Sequence, residues 1–257
     1  MIGVFDSGVG GLTVLRALRE RLPQADLVYL GDTARLPYGT KSADTVVKYA
    51  RQATAHLLNY NIGALVVACN TATAHALPAL QETYKDMPVI GVIEAGAQAA
   101  SRYKNILVLA TEGTVRSGAY TKAIHAINPA AVVSAVPATL LVALAEEGWH
   151  DGPETEAVIA RYLKGTGIDP DAVVLGCTHF PLLKKAIRKV IGHEVALIDS
   201  AETTAQAVEK RLAGHSLMQG SGRLQLLATD GAERFARVAA GFLGRDVTTD
   251  QIRIINL

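Results

Sequence analysis

Apolar positions along this chain fall into short β-branched runs separated by stretches with helical spacing. Residues 2–5, 27–30, 64–68 and 89–93 read as strands. Between them lie a helix ending at Arg21, an amphipathic helix over 42–59 and a helix over 73–84. In the second of these, Val46, Tyr49, Ala50, Ala53 and Leu57 share one face. Pro78 is expected to bend or interrupt the third. A second series follows. Strands are predicted over 105–110, 131–136, 172–175, 195–198 and 224–229. Helices are predicted over 115–127, 140–147, 153–164, 181–191, 201–212 and 232–243, with Ser200 as a cap. Strands alternating with helices predict an α/β fold with mainly parallel sheets. Two successive series predict two similar α/β lobes, each a central sheet flanked by helices, with the boundary near 95–104.

A chain of 257 residues can form one large domain or two small ones. Apolar residues make up 49% of it, enough for a sizeable core. Lys and Arg total 25 against 24 Asp and Glu, a balance that predicts neither a nucleic-acid nor a membrane partner. The chain opens on a strand, Met1-Ile2-Gly3-Val4-Phe5, rather than on a basic region with an apolar stretch, so no export signal is read. Its apolar runs are far too short to span a bilayer. A cytoplasmic location is expected.

The candidate chemistry lies in the two cysteines, Cys69 and Cys177. In a reducing compartment they are not expected to pair. Taken singly, a cysteine is most often a small buried hydrophobe. Here, however, Val66-Val67-Ala68-Cys69-Asn70-Thr71 is echoed by Val173-Val174-Leu175-Gly176-Cys177-Thr178. Each cysteine follows a strand and precedes a helix, at the sheet edge where α/β proteins bind ligands. A helix N-terminus offers free N–H groups and partial positive charge. These are expected to lower a thiol's pKa and to hold a ligand carboxylate. If the lobes face each other, a thiolate on one side can remove a proton from carbon and a thiol on the other can return one. That pairing suits inversion at a stereocentre.

Other readings stay open at this point. Cys177 with His179 could form a nucleophile–base pair of a hydrolase, which leaves Cys69 without a role. The chain could also be a two-lobed amino-acid binding protein. Zinc is disfavoured, because neither Cys177/His179 nor Cys69/His75 has a recognised ligand spacing; no metal site is predicted. Gly8 to Gly11 matches neither a dinucleotide nor a Walker loop and reads as a tight strand-to-helix turn. Asp6 and Ser7 end that strand, where a carboxylate could bind an ammonium group. Pro37-Tyr38-Gly39 reads as a turn. Asp32 and Glu146 carry no signal alone.

As a set, five segments resemble the glutamate racemase family of the aspartate/glutamate racemase superfamily. They are Phe5-Asp6-Ser7-Gly8-Val9-Gly10-Gly11, Gly31-Asp32-Thr33-Ala34-Arg35-Leu36-Pro37-Tyr38-Gly39, Ala68-Cys69-Asn70-Thr71-Ala72, Ala110-Thr111-Glu112-Gly113-Thr114-Val115, and Gly176-Cys177-Thr178-His179-Phe180-Pro181-Leu182-Leu183. The Pro-Tyr-Gly segment points to the glutamate branch. The resemblance implies cofactor-independent interconversion of L- and D-glutamate, supplying D-glutamate for peptidoglycan, with racemisation of a related acidic amino acid as the alternative. It implies Cys69 and Cys177 as the two acid/bases. It places Asp6 beside Cys69 and the substrate amino group, and has Asp32, His179 and Glu146 assisting the thiols. It implies substrate contacts from Asp6, Ser7, Pro37, Tyr38, Gly39, Asn70, Thr71, Thr111, Thr114, Thr178 and His179. Near Glu146 the match is looser: Val136-Pro137 stands where the family often has Cys-Pro, and Glu147 is adjacent. A homodimer is expected, and the resemblance further implies a C-terminal segment from about Ala205 that rejoins the first lobe. The expected lobes are then 1–94 plus 205–257, and 95–204. An N-terminal extension that accompanies nucleotide activation in some members is not expected.

Overall fold

The first strand, β1 (Ile2–Asp6), is buried along its whole length, as a strand covered by helices on both faces must be. The computed structural model that places it describes residues 1–257. The chain continues through α1 (Leu12–Arg21), β2 (Leu27–Gly31), α2 (Ala43–Leu58), β3 (Ala64–Val67), α3 (Asn70–Thr83), β4 (Val89–Gly91) and α4 (Ile93–Ala100). A second run comprises β5 (Asn105–Ala110), α5 (Glu112–Ser117), α6 (Ala119–Ile127), β6 (Val132–Pro137), α7 (Leu140–Glu146) and α8 (Pro153–Leu163). It goes on through β7 (Ala172–Gly176), α9 (Lys184–Ile191), β8 (Ala196–Asp199) and α10 (Ser200–Arg211). The chain ends with β9 (Leu224–Ala228), α11 (Ala232–Leu243) and β10 (Ile252–Ile254).

These strands form two parallel sheets. One has six strands in the order β10-β9-β2-β1-β3-β4, the other four in the order β6-β5-β7-β8. The first sheet therefore draws on both ends of the chain, residues 2–91 and 224–254. In it the chain steps from β1 to β2 on one side, then crosses to β3 on the other. In the second sheet it steps from β5 to β6, then crosses to β7. Each crossing leaves a crevice at the carboxyl ends of two neighbouring strands, the place where open α/β sheets bind ligands. Cys69 stands past the end of β3 and Cys177 past the end of β7, so each cysteine is at a crossing point.

Several expectations need correction. The segment ending the first series is a short strand followed by the helix α4, not a strand to Ile93. The helix read over 115–127 is two helices broken at Gly118, whose φ of 65° ends the first in a left-handed turn. Residues 180–183 form a 3₁₀ turn before α9. The strand β10, not anticipated, pairs with β9; three residues are too few to show a period. α3 runs uninterrupted through Pro78. Ala76, Leu77 and Leu80 are buried around it, and this packing outweighs one lost backbone bond.

The cap of α10 is Asp199, not Ser200: Asp199 Oδ1 accepts from the Ala201 N–H at 2.7 Å, whereas Ser200 is already helical and its hydroxyl is buried without a partner. Asp199→Ala is therefore expected to cost about 1 kcal/mol through loss of the cap. Ser200→Ala, which removes an unsatisfied hydroxyl, is expected to be neutral or stabilising. Chemical denaturation of the two variants measures this; equal losses would reverse the assignment.

Candidate active site

β3 ends at Val67, and the backbone at Cys69 is extended, so α3 starts with Cys69 as its cap. The thiol sulfur accepts from the Ala72 N–H at 3.5 Å. A hydrogen bond from Ser7, at the end of β1, also reaches it. On the other sheet, Cys177 Sγ lies 3.7 Å from His179 Nδ1. His179 Nε2 is 2.9 Å from Glu146 Oε1, at the end of α7, and Glu146 Oε2 accepts from Arg234 on α11 at 2.8 Å. The chain of contacts Cys177–His179–Glu146–Arg234 therefore returns to the helix that follows the first sheet's β9.

Both thiols line one cavity of about 270 Å³. Of the residues expected at the site, Ser7, Pro37, Tyr38, Gly39, Asn70, Thr71, Thr111, Thr178, His179 and Glu146 also line it. Three expected residues lie outside its wall. Asp6 is fully buried; its Oδ2 accepts from the Gly8 N–H at 2.9 Å and its Oδ1 has no partner. Asp32 is also fully buried, accepting from Arg35 Nε at 2.7 Å, Thr229 Oγ1 at 3.0 Å and the Tyr38 hydroxyl. It contacts the cavity only through Tyr38. Thr114 bonds Thr71 and Thr111, each at 3.1 Å, and stands behind them. Between Glu146 and Glu147 the choice is clear: Glu147 is exposed and reaches only Arg234, at 3.8 Å.

Sequence reasoning missed Leu36, Thr40, Thr139, Val142 and Ala143 in the lining. Thr139 had a usable signal, since it follows β6 at the same sheet edge as the cysteines. Val142 and Ala143 face the cavity from α7, and nothing local distinguishes them from core residues. Also missed were Arg234 and Phe242, the second of which stands edge-on to the His179 ring at 5.2 Å.

The glycine-rich loop is not explained by backbone freedom, because Gly8, Gly10 and Gly11 all keep negative φ. Space explains it. A Cβ on Gly10 would stand 2.3 Å from Thr178 Oγ1 and 2.5 Å from His179 Nδ1, and one on Gly11 would stand 2.4 Å from the Asp6 Cβ. The two sheets meet elsewhere in the same way, with Gly39 against Thr111 and Gly113 against the Gly39 carbonyl. Thr71 and Thr111 hydroxyls bond at 2.9 Å across this seam.

Charge divides the cavity into unequal halves. Burial, followed by the negative charge of Asp6, pushes the Cys69 thiol up to about 12, against the pull of Ser7 and the Ala72 N–H. The expected lowering by the helix terminus is thus overturned for Cys69, because removal from water is the larger effect. Asp6 is raised in turn by its own burial, which its backbone donors and His179 offset only partly. At His179 burial opposes the charged form, but hydrogen bonds that the ring donates to Cys177 and Glu146 outweigh it and raise the imidazole to about 10. Glu146 is lowered despite its burial, through His179 and Arg234. One thiol faces a carboxyl group and the other an imidazolium.

With this geometry in view, the relatives are informative. The model of the Asp/Glu/Hydantoin racemase family matches residues 12–208. The chain belongs to this family. It is 49% identical to glutamate racemase from Geobacter metallireducens, over 95% of this chain and 92% of the relative. The crystal structure of glutamate racemase from Thermus thermophilus, in complex with β-chloro-D-alanine, is 43% identical with a TM-score of 0.90, covering 100% of this chain and 96% of that one. That of the Francisella tularensis glutamate racemase, in complex with D-glutamate, is 36% identical with a TM-score of 0.91, covering 99% and 97%. As a family member this chain is an amino-acid racemase, an isomerase acting on a small molecule. No helix is long and apolar enough to cross a membrane.

Two outcomes are expected. The His179 imidazole should titrate near 10 by NMR, and Glu146→Gln should move that midpoint down. Because this folded value lies above the ordinary histidine value of 6.5, the linked stability is complete below 6.5 and is lost as pH rises toward 10. A stability-versus-pH curve flat across that window would contradict the ion pair. Gly10→Ala should destabilise by about 1–3 kcal/mol through overpacking, read as a fall in Tm, with activity lost as His179 is displaced.

Proposed function

We propose that this chain interconverts L- and D-glutamate without a cofactor, by proton transfer at Cα between Cys69 and Cys177, and that it supplies D-glutamate for peptidoglycan. The observation that carries the reading is the placement of both thiols on one small cavity, each from the crossing point of a different sheet. In one direction a thiolate takes the Cα proton, becoming a thiol, and the electron pair stays on the substrate as a carbanion. The opposite thiol then protonates the other face and becomes the thiolate. The reverse reaction exchanges the roles.

The unequal halves suit this chemistry. The His179 imidazolium is the counter-charge that a Cys177 thiolate needs. Cys69 has no such cation beside it, only Asp6. The substrate ammonium group supplies positive charge on that side when it binds near Asp6, and so assists Cys69 to ionise. Asn70, Thr71, Thr111, Thr178 and the Ser7 hydroxyl offer donors for two carboxylates. In this reading Asp32 acts at one remove, by holding Tyr38 in the wall. The Cys177–His179 contact alone would also serve a hydrolase, but that reading gives Cys69 no task on the same cavity.

The lobes we propose are residues 1–94 plus 205–257, and 95–204, with the cavity between them. The free thiols suit the reducing cytoplasm. A homodimer is proposed on the exposed Leu140, Trp149 and Val132 side chains, and sedimentation equilibrium tests it.

The reaction is tested in deuterated water, with each enantiomer of glutamate and no added pyridoxal phosphate. Product should carry deuterium at Cα. Cys69→Ser and Cys177→Ser should each lower racemisation by at least about 100-fold, the scale of general acid–base catalysis. Each should retain elimination from one enantiomer of an analogue with a β-leaving group, since one base suffices for that. Full racemisation by either single variant would end the two-base reading.

A further inference from the structure

Tyr120 belongs to α6, a helix of the second sheet's layer, yet its hydroxyl donates to Asn70 Oδ1 at 2.8 Å, one residue past Cys69. The side chain is 3% exposed. Its ring is slotted between two glycines. A Cβ on Gly176 would stand 3.0 Å from its Cε2, and a Cβ on Gly96 would stand 3.2 Å from its Cε1. Gly176 directly precedes Cys177, so one ring touches the approach to both thiols. Burial raises the phenol far above its ordinary range, and the hydroxyl remains a donor.

A carboxamide has nearly the same shape in either orientation, and only its partners decide which end points where. Here the Tyr120 O–H takes the oxygen end. The nitrogen end, Asn70 Nδ2, is buried with no partner in the protein, although Asn70 lines the cavity. A buried N–H₂ group without an acceptor is costly to maintain, and a carboxylate oxygen of a molecule in the cavity can supply the acceptor it lacks.

We infer that Tyr120 is a positioning residue: by donating to Asn70 Oδ1 it anchors the inner end of the carboxamide, so that the nitrogen is held where it can donate to a carboxylate of the bound amino acid. The inference rests on the proposed amino-acid reaction for its substrate and extends it to a residue outside the cavity wall. Without the phenolic hydroxyl the carboxamide loses its anchor and can swing out of line with the substrate. Binding is then weakened while the thiols stay in place.

The test is a double-mutant cycle on Tyr120→Phe and Asn70→Ala, with racemisation kinetics and calorimetric glutamate binding measured on each protein. Tyr120→Phe removes one oxygen and keeps the ring. It should raise KM about tenfold, the scale of one lost hydrogen bond, and leave kcat within about twofold. In the Asn70→Ala background it should change neither KM nor binding. An unchanged KM in the single variant, or equal losses in both backgrounds, would overturn the assignment, because a purely structural tyrosine acts whether or not Asn70 is present. Calorimetry completes the cycle where Asn70→Ala turns over too slowly to assay. If Tyr120→Phe does not fold, Gly96→Ala presses the ring from the opposite side and should show the same dependence on Asn70. If the unaltered protein racemises another acidic amino acid and not glutamate, the glutamate reading fails by itself, and the same cycle is run with that amino acid.

Discussion

The site depends on close approach of the carboxyl edges of two separate parallel sheets. Neither edge holds a complete set of groups. The first brings Cys69, Ser7, Asn70 and the Pro37–Gly39 turn; the second brings Cys177, Thr111, Thr178, His179 and Glu146. Bulky residues at the seam would hold these sets apart. Glycine at position 10 lets the loop after β1 touch Thr178 and His179, and glycine at 39 and 113 does the same around Thr111. Thr13 completes the junction by donating across it to the Thr178 carbonyl at 2.9 Å. The small cavity is what remains between two edges that otherwise meet in contact.

Such contact has an electrostatic consequence. Once both thiols are removed from water, ionising either becomes costly unless a compensating charge is near. The fold supplies one only on the second side, through Glu146, Arg234 and His179. On the first side it supplies a buried carboxyl group, which works against ionisation of Cys69. A symmetrical arrangement with cations on both sides would leave two thiolates and no acid. With a cation beside one thiol and a carboxyl group beside the other, the two halves of the cavity differ in charge, and the ammonium group of a bound amino acid would bring positive charge to the Cys69 side.

Much of this was legible in the chain. The alternation of β-branched runs and helical stretches located nine of the strands that form the sheets. The echo around Cys69 and Cys177 put both thiols at strand ends. What the sequence could not show had a common cause, namely that it depends on residues distant in the chain. Gly10 reads as part of a turn because the residues that crowd it, Thr178 and His179, lie far along the chain. Asp32 carries no signal of its own in the chain, because its place behind Tyr38 is set by hydrogen bonds to Arg35, Thr229 and Tyr38. Arg234 and Phe242 gave no signal because α11 meets His179 and Glu146 only after the C-terminal strands join the first sheet. The Cys69 thiol is raised rather than lowered for the same reason: the helix terminus is local and visible, whereas full burial beside Asp6 is a property of the assembled fold.

The long return of the chain also links the two halves mechanically. β9 and β10 extend the first sheet, and α11 between them carries Arg234 to Glu146 and Phe242 to His179. Parting the two sheet edges must therefore break the Arg234–Glu146 pair and separate Phe242 from His179. Arg234 is largely exposed, so water can replace its bond to Glu146 at small cost. Buried contacts such as Thr13 to Thr178 have no such substitute. Opening is thus easiest at the rim formed by α7 and α11 and hardest at the glycine loop.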